Sequence, residues 1–177
     1  SNDLSEIRDW VKQSGLTRYV LKPLSGGGGH NVFICSDSTS MEIAFNTILN
    51  NTNLFNQAND KVLAQEYLVG DEYIVNSVSL DANEFFTDMW HISKVSIDGH
   101  PVCSYADSID TNDDIWILLT NYVRKVLPAL GIAFGPAHCE IMLTVRGPVL
   151  IECGARFEGA VDMPAIASCF QTNQILA

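Results

Sequence analysis

The chain has 177 residues, of which 47% are hydrophobic, and its 21 acidic and 10 basic side chains give a formal net charge of −11. A chain of this length and composition can bury a core, and it has no run of about 18 apolar residues, the length that a membrane span requires. The negative charge repels a phosphate backbone and argues against nucleic acid as a partner. No basic region followed by an apolar core stands at the amino terminus, so we expect a soluble, cytoplasmic protein.

The first third of the sequence predicts alternating short helices and strands. Apolar residues at helical spacing predict a helix over residues 3–14, which Gly15 ends. Residues 19–23 and 31–35 favour extended structure and predict two strands. A second helix is predicted over residues 41–50, with Ser38 or Ser40 as its amino-terminal cap.

The rest of the chain is richer in strands. Residues 61–80 predict two strands around a turn at Gly70, and residues 84–105 predict two more around a turn at Asp98 and Gly99. An amphipathic helix over residues 113–130, a final strand pair and a helix near residues 163–170 complete the pattern. The order of elements predicts an α+β protein of two lobes, hinged near residues 67–71.

A run of four glycines joins the first two predicted strands. It is neither a P-loop nor a dinucleotide fingerprint, because a strand rather than a helix follows it. The amides of Gly26, Gly27, Gly28 and Gly29 could close over phosphate oxygens as a flap, with Lys22 nearby as a cation. A flexible hairpin connection and a solvated surface lysine are the alternatives.

Two glutamates near the carboxyl end give the sharpest signal of a site. If residues 145–147 form a three-residue hairpin loop, Thr144 faces Pro148 and Glu140 lies directly opposite Glu152. Their Cβ atoms would then be about 5 Å apart, which is unfavourable unless a cation lies between the carboxylates. Magnesium is commonly held by one or two carboxylates together with substrate phosphates. A two-residue turn would send the glutamates to opposite faces, and two solvated glutamates remain the other alternative.

Two basic side chains lie close to these glutamates in the sequence. Arg156 could bind a phosphate or a carboxylate, although an ion pair with Glu158 or Asp162 is the alternative. His138 shares a strand face with Glu140. A structural histidine is favoured there over a supporting partner of that carboxylate.

These features form an ordered set that resembles the ATP-grasp superfamily over nearly the whole chain. The set is a lysine before a glycine flap, the segment QEYLVGDEY, and two glutamates on paired strands followed by GAR. GIAFGPAHCEIML and GPVLIECGARFEG are most similar to the branch of amino-acid ligases of the bacilysin and carnosine synthase kind. The resemblance implies an ATP-grasp fold with ATP between two subdomains, a small lid over residues 1–70 and a metal-binding subdomain over residues 71–177.

The resemblance also implies roles for residues that bind the nucleotide. Lys22 and the glycine loop would cover the phosphates of ATP. Gln65 would face the adenine amino group, and the backbones of Glu66 and Leu68 would contact the edge of the ring. Glu72 would bind the ribose hydroxyls.

By the same resemblance, Glu140 and Glu152 would hold magnesium, with manganese as a substitute. Lys94 would be a second phosphate-binding cation, and Arg156 would act in catalysis by contacting the phosphate and the acyl phosphate. Family members of this kind move the γ-phosphoryl group of ATP onto a carboxylate, and an amine then displaces phosphate. We therefore expect a carboxylate–amine ligase acting on small molecules such as amino acids. Another ATP-grasp reaction, a carboxylation or a purine-type ligation, and a non-catalytic nucleotide-binding module are the alternatives.

The sequence departs from the family pattern in three places. Gly154 stands where many members have an asparagine that binds metal. The amino-terminal lobe is missing, and the chain stops soon after the last predicted helix, so we expect the core of a larger enzyme. Separately, Ala160 stands where some amino-acid ligases have a bulky aromatic, which predicts a roomier acyl pocket.

Overall fold

The structure is a computed structural model that describes residues 1–53, 56–97, 100–159 and 163–177. The turn predicted at residues 98–99, the predicted pocket residue Ala160 and the ion-pair candidate Asp162 lie outside these ranges. The chain divides into two compact units, Ser1–Leu68 and Val69–Ala177. Their roles as lid and metal-binding subdomain stay predictions. Within the described ranges, no helix combines the length and the hydrophobicity that crossing a membrane requires.

Unit 1 is a small antiparallel sheet with two helices. Its elements in chain order are α1 (Leu4–Ser14), β1 (Tyr19–Pro23), β2 (Phe33–Cys35), α2 (Ser38–Asn50) and β3 (Val62–Glu66). The strand order is β2-β1-β3. Apolar residues of both helices form one core with Tyr19 and Leu21 of the central strand. Because side chains alternate along a strand, Val20 and Lys22 point to the opposite face of this sheet.

The helix α2 begins three residues earlier than predicted, because neither Ser38 nor Ser40 is its cap. The N-cap is Asp37, whose Oδ1 accepts a hydrogen bond from the Ser40 amide at 2.7 Å. In return, Ser40 Oγ accepts one from the Asp37 amide at 3.3 Å. This reciprocal capping box satisfies amides that the helix itself leaves unpaired.

Unit 2 is built on a five-stranded antiparallel sheet. Its elements are β4 (Asp71–Leu80), β5 (Asn83–Ile97), β6 (His100–Ser108), α3 (Asp114–Ala129), β7 (Gly135–Thr144), β8 (Gly147–Gly154) and α4 (Met163–Phe170). The strand order is β6-β5-β4-β7-β8, so the connection through α3 brings β7 beside β4. The α3 residues Leu119, Val123 and Leu127 pack with buried residues of β4, β5 and β7 on one face. On the other face, Ile166 of α4 packs against Trp90 and Ile92.

Gly70 does not form the predicted hairpin turn, since β3 and β4 belong to different sheets. It is needed instead for a close approach of two backbones inside unit 2. A Cβ added at Gly70 would lie 2.1 Å from the carbonyl oxygen of Leu143 and 3.1 Å from the Cα of Thr144. Neither neighbour is the flexible end of a side chain, so the backbone itself would have to shift.

Gly70→Ala is therefore expected to lower the free energy of unfolding by about 2 kcal/mol, the typical cost of forcing extra atoms into a packed site. Urea unfolding measures this change. Gly159→Ala is the matched control in the same unit, because among the described residues a Cβ there would meet only Arg156 Nη1, at an ordinary 3.9 Å. Equal unfolding midpoints for the two variants would contradict the close approach.

Candidate functional site

One face of the unit 2 sheet carries a group of polar and charged side chains that contact one another. The register between β4 and β7 pairs Glu72 with Met142, Ile74 with Glu140 and Asn76 with His138, which places these alternate residues on one side. This is the face opposite α3, and we call it the polar face. Its polar and charged members are Glu72, Asn76, Asp88, Lys94, His138, Glu140 and Glu152.

The hairpin between β7 and β8 has a shorter loop than predicted. Thr144 pairs with Gly147, so the loop contains only residues 145–146, and the predicted three-residue loop is wrong. Gly147 has a φ of 102°, a backbone conformation that favours glycine. A regular ladder from this loop would set Glu140 opposite Ile151, with the two glutamates on different faces.

A β-bulge corrects this register within the same strand pair. Ile141 pairs with Leu150, whereas Glu140 pairs with Glu152, so Ile151 is an extra residue on β8. The two glutamates therefore lie directly opposite each other on the polar face. The predicted pairing is present, although the loop assumed for it is not.

This pair has the chemistry of a magnesium site completed by a ligand. Like charges placed directly opposite destabilise a sheet, so a cation between Glu140 and Glu152 is favoured electrostatically. In the part of the chain that the structure describes, no cluster of three or more His, Cys, Asp or Glu is placed to hold a metal. Two carboxylates suit magnesium, which usually keeps several waters and takes further oxygens from phosphates.

Two residues that were singled out only by the family resemblance contact each other on the polar face. Lys94 Nζ lies 2.6 Å from Glu72 Oε2, and the Glu72 side chain is only 12% exposed. The buried carboxylate therefore holds the ammonium group of Lys94 in one place. Periodicity alone had marked both as ordinary strand residues.

Arg156 lies just beyond β8 and packs against Gly154. A Cβ added at Gly154 would be 3.1 Å from Arg156 Cγ and 3.2 Å from its Nε. Arg156 Nη1 also donates a hydrogen bond to the carbonyl of Phe157 at 2.9 Å. A side chain at position 154 would require Arg156 to shift by a few tenths of an ångström, so glycine suits the place that Arg156 occupies.

Sequence reasoning missed a buried polar network behind the glutamates. Asp88 is fully buried, and its Oδ1 accepts hydrogen bonds from Asn76 Nδ2 at 2.6 Å and from Trp90 Nε1 at 2.7 Å. Its Oδ2 accepts one from Thr87 Oγ1 at 2.8 Å. Three neutral donors thus compensate this carboxylate for lost water.

His138 links this network to the candidate metal site. Its Nδ1 lies 2.9 Å from Asn76 Oδ1 and 2.7 Å from Glu158 Oε2, and its Nε2 lies 3.4 Å from Glu140 Oε1. Burial of the ring opposes protonation, and the Arg156 guanidinium acts in the same direction. The Glu140 and Glu158 carboxylates outweigh both effects and raise the pKa of His138 to about 9. The alternation HxE was the only sequence signal for this contact.

Unit 1 holds the other predicted nucleotide-binding residues. The pairing of Val20 with Gln65 places Lys22 and Gln65 on the same face of the small sheet, away from the helices. Lys22 is only 9% exposed, which contradicts the alternative of a solvated lysine. Glu66 ends β3, and Leu68 is the last residue of unit 1.

The glycine loop of unit 1 consists of two successive turns. The His30 amide donates to the Gly27 carbonyl and the Val32 amide to the Gly29 carbonyl, both at 3.2 Å. Gly28 and Gly29 have φ values of 61° and 72°, and a Cβ on either would meet nothing within 4 Å. Backbone conformation rather than crowding therefore explains the glycines at these two positions.

Comparison with known proteins gives the following similarities. Residues 17–163 match the family model described as ATP-grasp domain. Dapdiamide A synthase from Enterobacter agglomerans is 38% identical over 170 residues, which is 96% of this chain. The chain spans only 40% of the length of that synthase.

Two solved structures have the same fold. The biotin carboxylase domain of 2-oxoglutarate carboxylase from Hydrogenobacter thermophilus, in complex with MgADP, has a TM-score of 0.73 at 16% identity, over 98% of this chain and 38% of that one. An L-amino acid ligase from Bacillus licheniformis has a TM-score of 0.58 at 20% identity, over 89% of this chain and 41% of the ligase. These similarities confirm the predicted α+β fold class.

The buried network makes a testable contribution to stability. Thr87→Val keeps the shape of the side chain but removes one donor from the buried Asp88 carboxylate, so we expect the free energy of unfolding to fall by about 2 kcal/mol. Thr120→Val is the control, because Thr120 is also buried but donates to carbonyls of its own helix, Trp116 at 2.8 Å and Ile117 at 3.3 Å. Urea unfolding compares the two variants. An equal decrease in the free energy of unfolding of both variants would show that the hydrogen bond to Asp88 contributes no more than a hydrogen bond within a helix.

Proposed function

Because the chain belongs to the ATP-grasp family, we propose that it is the core of an ATP- and magnesium-dependent ligase that joins a carboxylate to an amine. The motif resemblance to this family is confirmed by the match over residues 17–163. The observation that carries the proposal is the direct pairing of Glu140 with Glu152. Two opposed carboxylates provide part of a magnesium coordination shell and leave the remaining positions to water and to a phosphate ligand.

Amino acids are the proposed substrates. The similarity to dapdiamide A synthase, at 38% identity over 96% of the chain, favours an amide product. The L-amino acid ligase from Bacillus licheniformis shares the fold and, by its name, acts on amino acids. The formal net charge of −11 does not prevent the binding of such substrates with ATP, because the cations proposed to contact the phosphates lie at particular positions in the chain.

Within each unit, the predicted nucleotide-binding residues have proposed roles. From unit 1, Lys22 and the amides of the glycine loop would contact phosphate oxygens, while Gln65, Glu66 and Leu68 would contact the adenine. From unit 2, Glu72 would bind the ribose and Lys94 a phosphate. The Lys94 to Glu72 distance of 2.6 Å supports a preorganised cation, which saves the cost of ordering a lysine on binding.

Charge stabilisation is the proposed basis of catalysis. Magnesium at Glu140 and Glu152 would neutralise charge on the phosphates, and manganese is expected to replace it. The γ-phosphoryl group passes from ATP to a substrate carboxylate oxygen, which gives ADP and an acyl phosphate. The amine then attacks the acyl carbon and phosphate leaves as the amide forms. Arg156 would stabilise the phosphoryl oxygens, so no nucleophile from the protein is required.

Carboxylation is the second candidate, because the biotin carboxylase domain has a TM-score of 0.73 against 0.58 for the amino-acid ligase. At 16% identity this likeness concerns the fold alone. A nucleotide-binding module without turnover is the third candidate. A test on the intact parent protein separates them, because the present chain spans 40% of the length of its synthase relative.

Phosphate release by the intact protein is the direct test. With ATP and magnesium, release is expected to require a pair of amino acids and to be matched by an equal amount of amide in the mass spectrum. Release that depends on bicarbonate and biotin, with no amide, would favour carboxylation. Nucleotide binding without release under either condition would favour the module.

The magnesium assignment has its own test in this chain. Glu152→Gln is expected to weaken magnesium-dependent ATP binding about tenfold or more, since a hydrogen bond or ligand contact to a charged group contributes about 1.5–3 kcal/mol. Calorimetric titration with ATP, with and without magnesium, measures the effect. Glu84→Gln is the control with the same charge change, because Glu84 lies 3.8 Å from Arg124 and outside the proposed site. If both variants bound MgATP like the wild type, the assignment of Glu152 would be wrong.

A further inference from the structure

His138 has contacts that a purely structural histidine would not need. The ring is 3% exposed and lies on the polar face, two residues before Glu140. Its Nδ1 side meets two buried oxygen acceptors, which alone would account for its burial. Its Nε2 side is directed at the Glu140 carboxylate, one of the two proposed magnesium ligands.

The orientation of Asn76 determines which ring nitrogen carries a hydrogen. Asp88 accepts a hydrogen bond from Asn76 Nδ2 at 2.6 Å, so the amide oxygen of Asn76 must face His138. That oxygen is 2.9 Å from Nδ1 and can only accept a hydrogen bond. The Nδ1 atom of His138 is therefore a donor.

Glu158 makes a charge contact on the same side of the ring. Its Oε2 lies 2.7 Å from Nδ1, whose single hydrogen is directed at Asn76, and the residue is 6% exposed. The Glu158 amide donates to Gln174 Oε1 at 2.8 Å, and Gln174 Nε2 donates to the carbonyls of Ser77 and Ala137, both at 3.0 Å. Glu158 is thus tied to the backbones of β4 and β7, and it fixes the ring relative to the sheet.

The fixed ring places Nε2 3.4 Å from Glu140 Oε1. This contact holds one oxygen of Glu140 against the ring and limits the rotation of that carboxylate.

We propose that His138 is the positioning residue that orients Glu140 for magnesium, while Asp88, Asn76 and Glu158 hold its ring in place. This inference rests on the proposed function, because it takes Glu140 to be a metal ligand. Residues that orient a metal ligand commonly change metal affinity by about 10- to 100-fold when they are replaced.

Two substitutions at His138 test the contacts of Nδ1 and the contact of Nε2 separately. The amide nitrogen of asparagine can occupy roughly the place of Nδ1, so His138→Asn keeps a donor towards Asn76 and Glu158 but loses the contact with Glu140. The amide nitrogen of glutamine reaches roughly the place of Nε2, so His138→Gln keeps the contact with Glu140 and loses the anchors. If His138 positions Glu140, His138→Asn should bind the metal more weakly than His138→Gln. If His138 is only structural, the order of the two metal affinities should be reversed.

The experiment is a calorimetric titration of the chain with Mn²⁺ in the presence of ADP, together with urea unfolding in EDTA. His138→Asn is expected to bind Mn²⁺ about tenfold more weakly than the wild type, whereas His138→Gln should stay within about threefold of it. In unfolding, His138→Gln is expected to be the less stable of the two. Equal Mn²⁺ affinities in both variants, or affinities that follow the stabilities, would overturn the proposal.

The wild-type chain allows a second test that does not depend on the folding of a variant. When Mg²⁺ and ADP are added, long-range ¹H–¹⁵N spectra are expected to show a larger shift at Nε2 of His138 than at Nδ1, because Nε2 is the nitrogen next to Glu140. An Nε2 signal that does not move would overturn the proposal. Normal Mn²⁺ binding by His138→Asn would overturn this inference alone, whereas a wild type that binds no metal with ADP would overturn the proposed function too.

Discussion

The opposition of two carboxylates across β7 and β8 is the constraint on which the rest of the polar face depends. Glu140 and Glu152 are paired in register, and their like charges are unfavourable without a counter-charge. His138 partly offsets this repulsion, because its Nε2 lies 3.4 Å from Glu140 Oε1 on the buried side of the carboxylate. We propose that a cation that arrives with its own ligands balances the two carboxylates, so that this repulsion favours metal binding.

The two faces of the unit 2 sheet have different roles. The α3 face contributes mainly to stability, and the polar face carries the candidate site. The α3 face packs apolar side chains such as Leu119 and Val123 against the strands and fixes their register. The polar face then uses that register, since the contacts of Asn76 with Asp88 and with His138, and of Glu72 with Lys94, join residues on neighbouring strands. Burial of polar groups on this face costs free energy, as Asp88 illustrates. A carboxylate with no exposed surface needs every hydrogen-bond donor that it receives. Such a network tolerates little movement, which suits a site that must hold two carboxylates in place.

Sequence periodicity predicted the helices and most strands, because apolar spacing follows directly from how each element packs. The start of α2 was missed, since Asp37 caps it through a hydrogen bond that spacing does not encode. The glutamate pairing was predicted from a wrong loop, and the bulge at Ile151 supplied the missing residue. The link from Asp88 through Asn76 to His138 joins residues far apart in the chain, so it could not be derived before the strand order was known.

The central claim is that Glu140 and Glu152 together bind the metal that accompanies the nucleotide. Crystals of the chain grown with ADP and Mn²⁺ test it directly through the anomalous scattering of manganese. We expect one anomalous peak that contacts a carboxylate oxygen of each glutamate at about 2.1 Å, the distance of small octahedral cations to oxygen, and that also contacts the phosphates. A peak that contacts the phosphates but neither glutamate, or one held by other side chains, would contradict it.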